Sequence, residues 1–374
     1  MLKRLMRSVV LILLGSLFIG YLVSCTSMGT NPTEDRLENI RQSKQYNIIE
    51  EQFQNPKNTP LATGRGWTTF VYEYFFTSDN REPKVKLPEV IPDSADLRFK
   101  SHFARFIWFG HSTILLELNS IRVLIDPVFS QYASPVPGIA KRFQAPVLTI
   151  DEISDIDFVL ISHDHYDHLD YQTISKLKSR NIQFIVPLGV GAHLEYWDID
   201  KNNIFELDWW DNIMLQGIQF TCTPSQHFSG RGILNGNTTL WAGWAIKGKQ
   251  QNIFFSGDSG YSNHYEKIGN RLGPFDLTFL ENGAYSLDWK FVHQLPEEAI
   301  QAHLDLKGKA MVPIHWGMFD LALHTWFDPI TRVTAEAKKR GVSIITPKLG
   351  QVVATEKNYV QEDWWSPLIN ANQK

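Results

Sequence analysis

Four short apolar runs in this chain each lead into a histidine or an aspartate. DFVLIS runs into His163, IQFTCTPSQ into His227, NIFFSG into Asp258, and AMVPI into His315. Such runs read as buried strands. In layered α/β proteins, sites form where strand ends meet loops, because the backbone there fans side chains into a common crevice. Four residues so far apart in sequence converge only if their strands end on one shared edge. The feature therefore demands strands that run toward a common rim.

The remaining pattern agrees with that demand. FARFIWFG, TILLEL and IRVLID are strand-like, and ELNSIRV reads as a hairpin around Asn119 and Ser120. Beyond them, DFVLI precedes the helix-compatible YQTISKLKSR, QFIVP precedes GAHLEYW, and DLTFLEN precedes PEEAIQAHLDL. In the last of these Ala299, Ile300, His303 and Leu304 fall on one helical face. Strands mixed with crossover helices predict an α/β domain with helices outside the sheets. At 374 residues, 43% of them hydrophobic, the chain can bury a large core. Residues 48–105 are broken by prolines and read as a covering segment of a domain that runs over 48–374. WTTFVYEYFF within it fits either a strand or a helix.

Within ISHDHYDHLD the spacing has geometric sense. Residues i, i+2 and i+4 of an extended segment point the same way, which puts His163, His165 and Asp167 on one side. His168 breaks the alternation, as a chain turning into a helix would. Two adjacent metal pockets are expected: His163, His165 and His227 around one, Asp167, His168 and His315 around the other, with Asp258 bridging both. Imidazole and carboxylate without thiolate suit two zinc ions, and tolerate manganese or iron. Seven ligands for two ions leave open positions, unlike closed structural zinc sites.

The beginning, MLKRLMRSVVLILLGSLFIGYLVSC, has a basic start and an apolar run that ends in LVSC. This is the layout of a secretory leader over 1–24, with Cys25 lipidated as in a bacterial lipobox. An uncleaved transmembrane anchor is the competing reading. Thr26 after the cysteine, in place of an acidic residue, points to an outer-membrane anchor facing the periplasm of a bacterial envelope. Residues 25–47 are polar and read as a tether. Lys plus Arg total 36 against 40 Asp plus Glu, and removing Lys3, Arg4 and Arg7 with the leader leaves 33 against 40. A net charge of −7 argues against a nucleic-acid partner. Cys222 is then the one remaining thiol, expected to pack as a small apolar residue.

HDHYDH resembles the HxHxDH signature of the metallo-β-lactamase superfamily, and the later His, GD-turn Asp and final His match as well. WFGHST, LIDPVFS, SHDHYDHLD, SQHFSGRG, TLWAGW, FSGDSGY, PEEA and IHWGMF resemble, in order, the N-acylphosphatidylethanolamine-hydrolysing phospholipase D branch. The resemblance implies a four-layer αβ/βα sandwich and a dinuclear metal-dependent hydrolase acting on a phospholipid phosphodiester. It places a catalytic or substrate-contacting histidine at His293, where a capping or surface histidine is the alternative. It also places a substrate contact at Tyr166, against simple packing. Two departures stand out: Asp164 replaces the Asn common in the branch, and the leader differs from that of intracellular members. Diiron flavoproteins of the superfamily carry Glu at the position of His165, and true metallo-β-lactamases lack a bridging aspartate like Asp258.

The other candidates carry two readings each. Arg231, between two glycines, offers a planar fork to a phosphate, or an ordinary ion pair. His111 is expected to hydrogen-bond a ligand, with ligation the other reading, and Asp126 to orient a ligand or close a turn. His193, His264, His303 and His324 have no assigned role. TLWAGW is expected in the core. The substrate is a phospholipid or another small molecule, and a lactone or ester hydrolase and a non-catalytic metal-binding lipoprotein are the alternatives to the phosphodiesterase.

Overall fold

The computed structural model describes residues 26–56, 59–62, 72–74, 76, 80–98, 101, 103–232, 235–355 and 361–372. The leader, Cys25 and most of WTTFVYEYFF lie outside them. A short hairpin, β1 (Tyr46–Asn47) and β2 (Gln52–Phe53), precedes two seven-stranded sheets. The first sheet holds β3 (Arg105–Trp108), β4 (Ile114–Leu118), β5 (Ile121–Ile125), β6 (Phe158–Leu160), β7 (Gln183–Pro187) and β8 (Ile204–Leu207). The late strand β16 (Val352–Ala354) closes its other edge beside β3. The second sheet holds β9 (Asn212–Leu215), β10 (Ile218–Thr223), β11 (Gly243–Lys247), β12 (Asn252–Phe255), β13 (Phe275–Glu281), β14 (Gly308–Ile314) and β15 (Ser343–Ile344).

In each sheet antiparallel strands lead into a parallel set: β5 to β8 in the first, β12 to β15 in the second. The β4–β5 hairpin turns at Asn119 and Ser120, with φ of 53° and 65°. That left-handed pair matches the twist of the flanking strands.

The two sheets face each other. Phe158 of β6 meets Phe220 of β10 with ring centroids 5.4 Å apart, and Phe106 of β3 meets Phe279 of β13 at 4.9 Å. Strand alternation divides β6 between two cores: Phe158 and Leu160 join the central core, while Val159 and Ile161 join an outer one. The outer core is capped by α3 (Tyr171–Leu177) and α4 (Gly191–Tyr196), through Ile174, Leu177 and Leu194. Helices α5 (His264–Arg271), α6 (Pro296–Asp305) and α7 (Asp328–Arg340) add Ile268, Ile300 and Val333 to the core of the second sheet. The fold is the expected αβ/βα sandwich. In α6 the buried face runs through Ala299, Ala302, His303 and Leu306, and Leu304 is 38% exposed. Leu304 sits about 100° around the helix from His303, which carries it past the edge of that face. Cys222, Leu240, Trp241 and Trp244 are core residues, as expected.

The segment expected to be a loose tether is instead docked. It forms α1 (Asp35–Gln42), buries Ile40 and Ser43, and pairs Arg36 with Glu195 at 3.0 Å and Glu206 at 2.6 Å. Its polar composition is misleading because backbone carbonyls make much of the contact, and these have no signature in sequence. Two short helices, α2 (Ser94–Arg98) and α8 (Ser366–Asn372), complete the described elements. No helix among the described residues is long and apolar enough to cross a membrane.

Candidate metal centre

Strand ends deliver the site. His163 lies just past the end of β6, His227 past β10, Asp258 past β12, and His315 directly after β14. His163, His168, His227, Asp258 and His315 are all buried. His111, in the β3–β4 connection, and His315 both adopt left-handed backbone, with φ of 53° and 67°. Non-glycine residues pay for that conformation only where the surroundings hold it. Here His111 N donates to the Trp316 carbonyl at 3.1 Å and His315 N to the His111 carbonyl at 2.9 Å.

The predicted ligands converge as two pockets. Ligand atoms of His163, His165, His227 and Asp258 all lie within 4.8 Å of one another, and so do those of His111, Asp167, His168 and His315. The Asp258 carboxylate spans both. Its Oδ2 is 3.0 Å from His315 Nε2 and 3.7 Å from His227 Nε2, and its Oδ1 is 3.2 Å from His168 Nε2. His111 enters the second pocket through Asp167, whose Oδ2 is 3.0 Å from His111 Nε2. A third set, not foreseen, joins Asp258, Glu281, His293 and His315.

Four of the imidazoles, those of His163, His168, His227 and His293, are aimed by a partner behind them. Asp126 takes His168 Nδ1 at 2.7 Å and the Ser162 hydroxyl at 2.6 Å, and that hydroxyl lies 2.9 Å from His163 Nδ1. The Val292 carbonyl takes His227 Nδ1 at 2.8 Å, and Glu281 Oε2 takes His293 Nδ1 at 2.7 Å. Partners of this kind fix the ring tautomer and leave Nε2 to the site. Asp126 orients a ligand, as one of its two expected roles required.

The electrostatics call for positive charge. Burial alone would raise the Asp258 carboxyl, yet His168 and His315 hold it well below the usual carboxylate range. Burial works against charge on His315, but Asp258 and Asp167 push it up to about 10. His168 is raised well above its ordinary value against the same penalty, by Asp258, Asp167 and Asp126. His163 and His227 are driven well down, by burial first and then by neighbouring imidazoles. Protons on His168 and His315 thus compensate the carboxylates in place of cations. His168 Nε2, Asp258 Oδ1 and both nitrogens of His315 are buried without a hydrogen-bond partner. His165 Nδ1 lies 2.8 Å from His163 Nε2 and 3.2 Å from His227 Nε2. Buried ligand atoms left without partners or crowded against one another in this way fit two divalent cations.

Above the site opens a cleft of about 270 Å³, lined by Leu61, His165, Asp167, Phe228, Asp258, Ala284, Trp289, Val292, His293, His315 and Leu321. A larger hollow of about 620 Å³ lies between α1 and α4. Its Arg36 is already paired with Glu195 and Glu206, and none of the ligand sets borders it.

Arg231, Tyr166 and Asp164 find their partners away from the cleft. Arg231 is 3% exposed and spends its fork on backbone: Nη1 donates to the carbonyls of Asp164 and Leu169, and Nε and Nη2 donate to Ser27 O. No face of it is left for a phosphate. The Tyr166 ring lies beneath that guanidinium, 4.0 Å from Cζ, and its hydroxyl donates to the Arg231 carbonyl at 2.6 Å. It is not among the residues that line the cleft, and of its two expected readings it shows packing. Asp164 turns away from the ligands to accept from Gly230 N at 2.7 Å and Thr239 Oγ1 at 2.9 Å, and it meets His193 Nε2 at 3.2 Å. His293 does line the cleft. Glu281 was missed, although it closes the apolar run DLTFLE much as His315 closes AMVPI.

Residues 121–316 match the beta-lactamase superfamily domain. The chain belongs to the metallo-β-lactamase superfamily. Among relatives, a Mycobacterium tuberculosis protein described as uncharacterised is 44% identical over 263 residues, 69% of this chain and 70% of that protein. The N-acyl-phosphatidylethanolamine-hydrolyzing phospholipase D 1 of Caenorhabditis elegans is 29% identical over 330 residues, 80% of this chain and 91% of that protein. In fold, the isothiocyanate hydrolase from Delia radicum gut bacteria superposes with a TM-score of 0.54 at 18% identity, covering 67% of this chain and 98% of that one. This superfamily member is a metal-dependent hydrolase whose His and Asp clusters could hold the metal.

Proposed function

We propose that this chain is a dinuclear phosphodiesterase of the phospholipase D type, acting on an N-acylphosphatidylethanolamine-like phospholipid. The observation that carries the reading is the Asp258 carboxylate, a member of the first pocket that lies 3.2 Å from His168 and 3.0 Å from His315 of the second, at the base of a cleft walled by Leu61, Phe228, Trp289 and Val292. Apolar walls over a charged base suit an amphiphile whose phosphate meets the metals and whose chain meets the walls. The similarity to the Caenorhabditis elegans phospholipase supports the same substrate class.

The His-rich first pocket and mixed His and Asp second pocket favour zinc, with manganese or iron as the other cations of this donor chemistry. When bound, two such cations lower the pKa of water toward neutrality and neutralise charge on a phosphoryl group. The chain's own residues do the rest. Asp258 holds the two pockets in register. His293, steadied through Nδ1 by Glu281, leaves Nε2 to pass a proton to the departing alkoxide. Leu61 and Phe228 line the approach to these groups. A lipid on Cys25 would tether the enzyme to the bacterial outer membrane, facing the periplasm, close to its substrate.

Turnover of bis(p-nitrophenyl) phosphate, a lactone and a p-nitrophenyl ester by the zinc-loaded protein tests the reaction. The phosphodiester should be preferred, and Asp258→Asn should cut its rate by about 100-fold or more. Preference for the lactone, or an undiminished rate in Asp258→Asn, would refute the proposal. Cys25→Ser should abolish labelling by radioactive palmitate; persistent labelling would refute the anchor.

A further inference from the structure

The docked residues 26–30 make a second connection, one that reaches the metal loop. Trp197 Nε1 donates to Thr26 O at 2.8 Å, which pins the segment at its first described residue. Arg231 donates from Nε at 3.2 Å and Nη2 at 2.6 Å to Ser27 O, while its Nη1 donates to the carbonyls of Asp164 and Leu169. Thr30 N donates to His193 Nδ1 at 3.1 Å, and His193 Nε2 meets Asp164 Oδ2 at 3.2 Å. Gly29 has a φ of +72°, and a Cβ there would stand 2.2 Å from His193 Nδ1. Only glycine lets the backbone lie so close against that ring.

Both routes end on one residue. Asp164 sits between His163 and His165, so whatever fixes its carbonyl and carboxylate fixes the backbone from which two ligands of the first pocket project. Arg231, His193 and Asp164 are all buried, which isolates these bonds from competition by water. We propose that residues 26–30 are a positioning clasp for the metal loop, acting through His193 and Arg231 on Asp164. The clasp sets the ligand geometry of the first pocket without touching metal or substrate. It makes the hydrolase dependent on the residues that directly follow Cys25. An acyl group on Cys25 would therefore be attached directly to the clasp, without an intervening flexible tether. The inference stands on the ligand set and not on the identity of the substrate.

The test uses the full chain carrying Gly29→Val, with Arg36→Ala as a control that removes the ion pairs of α1 to Glu195 and Glu206 but none of the bonds to His193, Arg231 or Asp164. Zinc affinity is read by chelator competition, the loop by amide hydrogen exchange over residues 163–169, and activity by kcat and KM on bis(p-nitrophenyl) phosphate. Gly29→Val should weaken zinc binding by about 10- to 100-fold, the range for losing a partner that orients a ligand. It should also speed exchange in the loop and lower kcat with little change in KM. Arg36→Ala should leave all three near the wild-type values. Should Gly29→Val fail to fold, His193→Phe, which keeps the ring volume but lacks both nitrogens, should give the same losses. Unchanged zinc affinity and exchange in the folded variant would overturn the clasp, as would equal losses in Arg36→Ala. If no protein turned over the phosphodiester, wild type included, the phosphodiesterase reading would fail while zinc affinity and exchange still decided the clasp.

Discussion

Replacing Asp126 by Asn changes one oxygen and tests the orientation of the ligands. Asp126 is fully buried and accepts three hydrogen bonds: Ser162 N at 2.7 Å on Oδ1, and Ser162 Oγ at 2.6 Å and His168 Nδ1 at 2.7 Å on Oδ2. An amide that keeps its oxygen toward Ser162 N places an NH₂ where Oδ2 stood, and an NH₂ cannot accept. His168 must then carry its proton on Nε2, the nitrogen that lies 3.2 Å from Asp258 Oδ1 and belongs to the second pocket. The Ser162 hydroxyl, freed from Asp126, also loses its fixed orientation toward His163 Nδ1. Loss of such a partner costs about 10- to 100-fold in metal affinity, or about 1.4–2.7 kcal/mol. The second pocket should bear the larger loss because its ligand is hit directly, and the first should lose less because one hydroxyl intervenes. Competition with chelators of graded strength, fitted to two sites, measures both. Two affinities equal to those of the wild type would refute the reasoning, and so would a loss confined to the first pocket.

Two other outcomes follow from the same geometry. Arg231→Met should act on stability and not on substrate: it strips partners from the Ser27, Asp164 and Leu169 carbonyls, at about 1–3 kcal/mol for a buried group left unsatisfied. Denaturant titration should show that loss, while KM for a soluble phosphodiester stays within about twofold, the opposite of what a phosphate-binding arginine would give. In the metal-free protein, Asp258 and Asp167 outweigh burial and raise His315 to about 10. A raised histidine contributes stability that is fully present below its ordinary value near 6.5 and is lost as pH climbs through about 10. Metal must displace that proton, so zinc binding should release protons and tighten as pH rises across this window. Calorimetry in buffers of different ionisation enthalpy measures the release, and a buffer-independent heat would contradict it.

The sequence displayed the site better than its surroundings. An apolar run closing on His or Asp is visible in one dimension, and His163 after β6 of the first sheet does meet His227, Asp258 and His315 after β10, β12 and β14 of the second. Glu281 obeys the same rule but went unread, because an acidic residue after DLTFL reads equally well as a solvated strand end. What decides its role is the order of the second sheet: β13 lies between β12 and β14, and Glu281 pairs with Ile314, next to His315. Strand order is a tertiary fact with no local signal. Arg231 shows the reverse error. A guanidinium between glycines suggested an exposed phosphate fork, whereas the ligands it found were carbonyls, which every residue possesses. Residues 26–47 looked like a tether for the same reason, since their docking rests on Thr26 O, Ser27 O and Thr30 N as much as on Ile40.

On the proposed function, Asp258 joins two metal pockets into one dinuclear centre. Titration of metal-stripped protein with zinc, followed by metal analysis after gel filtration, counts the ions held. Two zinc ions per chain are expected for the wild type, with impaired binding at both sites in Asp258→Asn. A wild-type chain that retains one ion or none after full loading would contradict it.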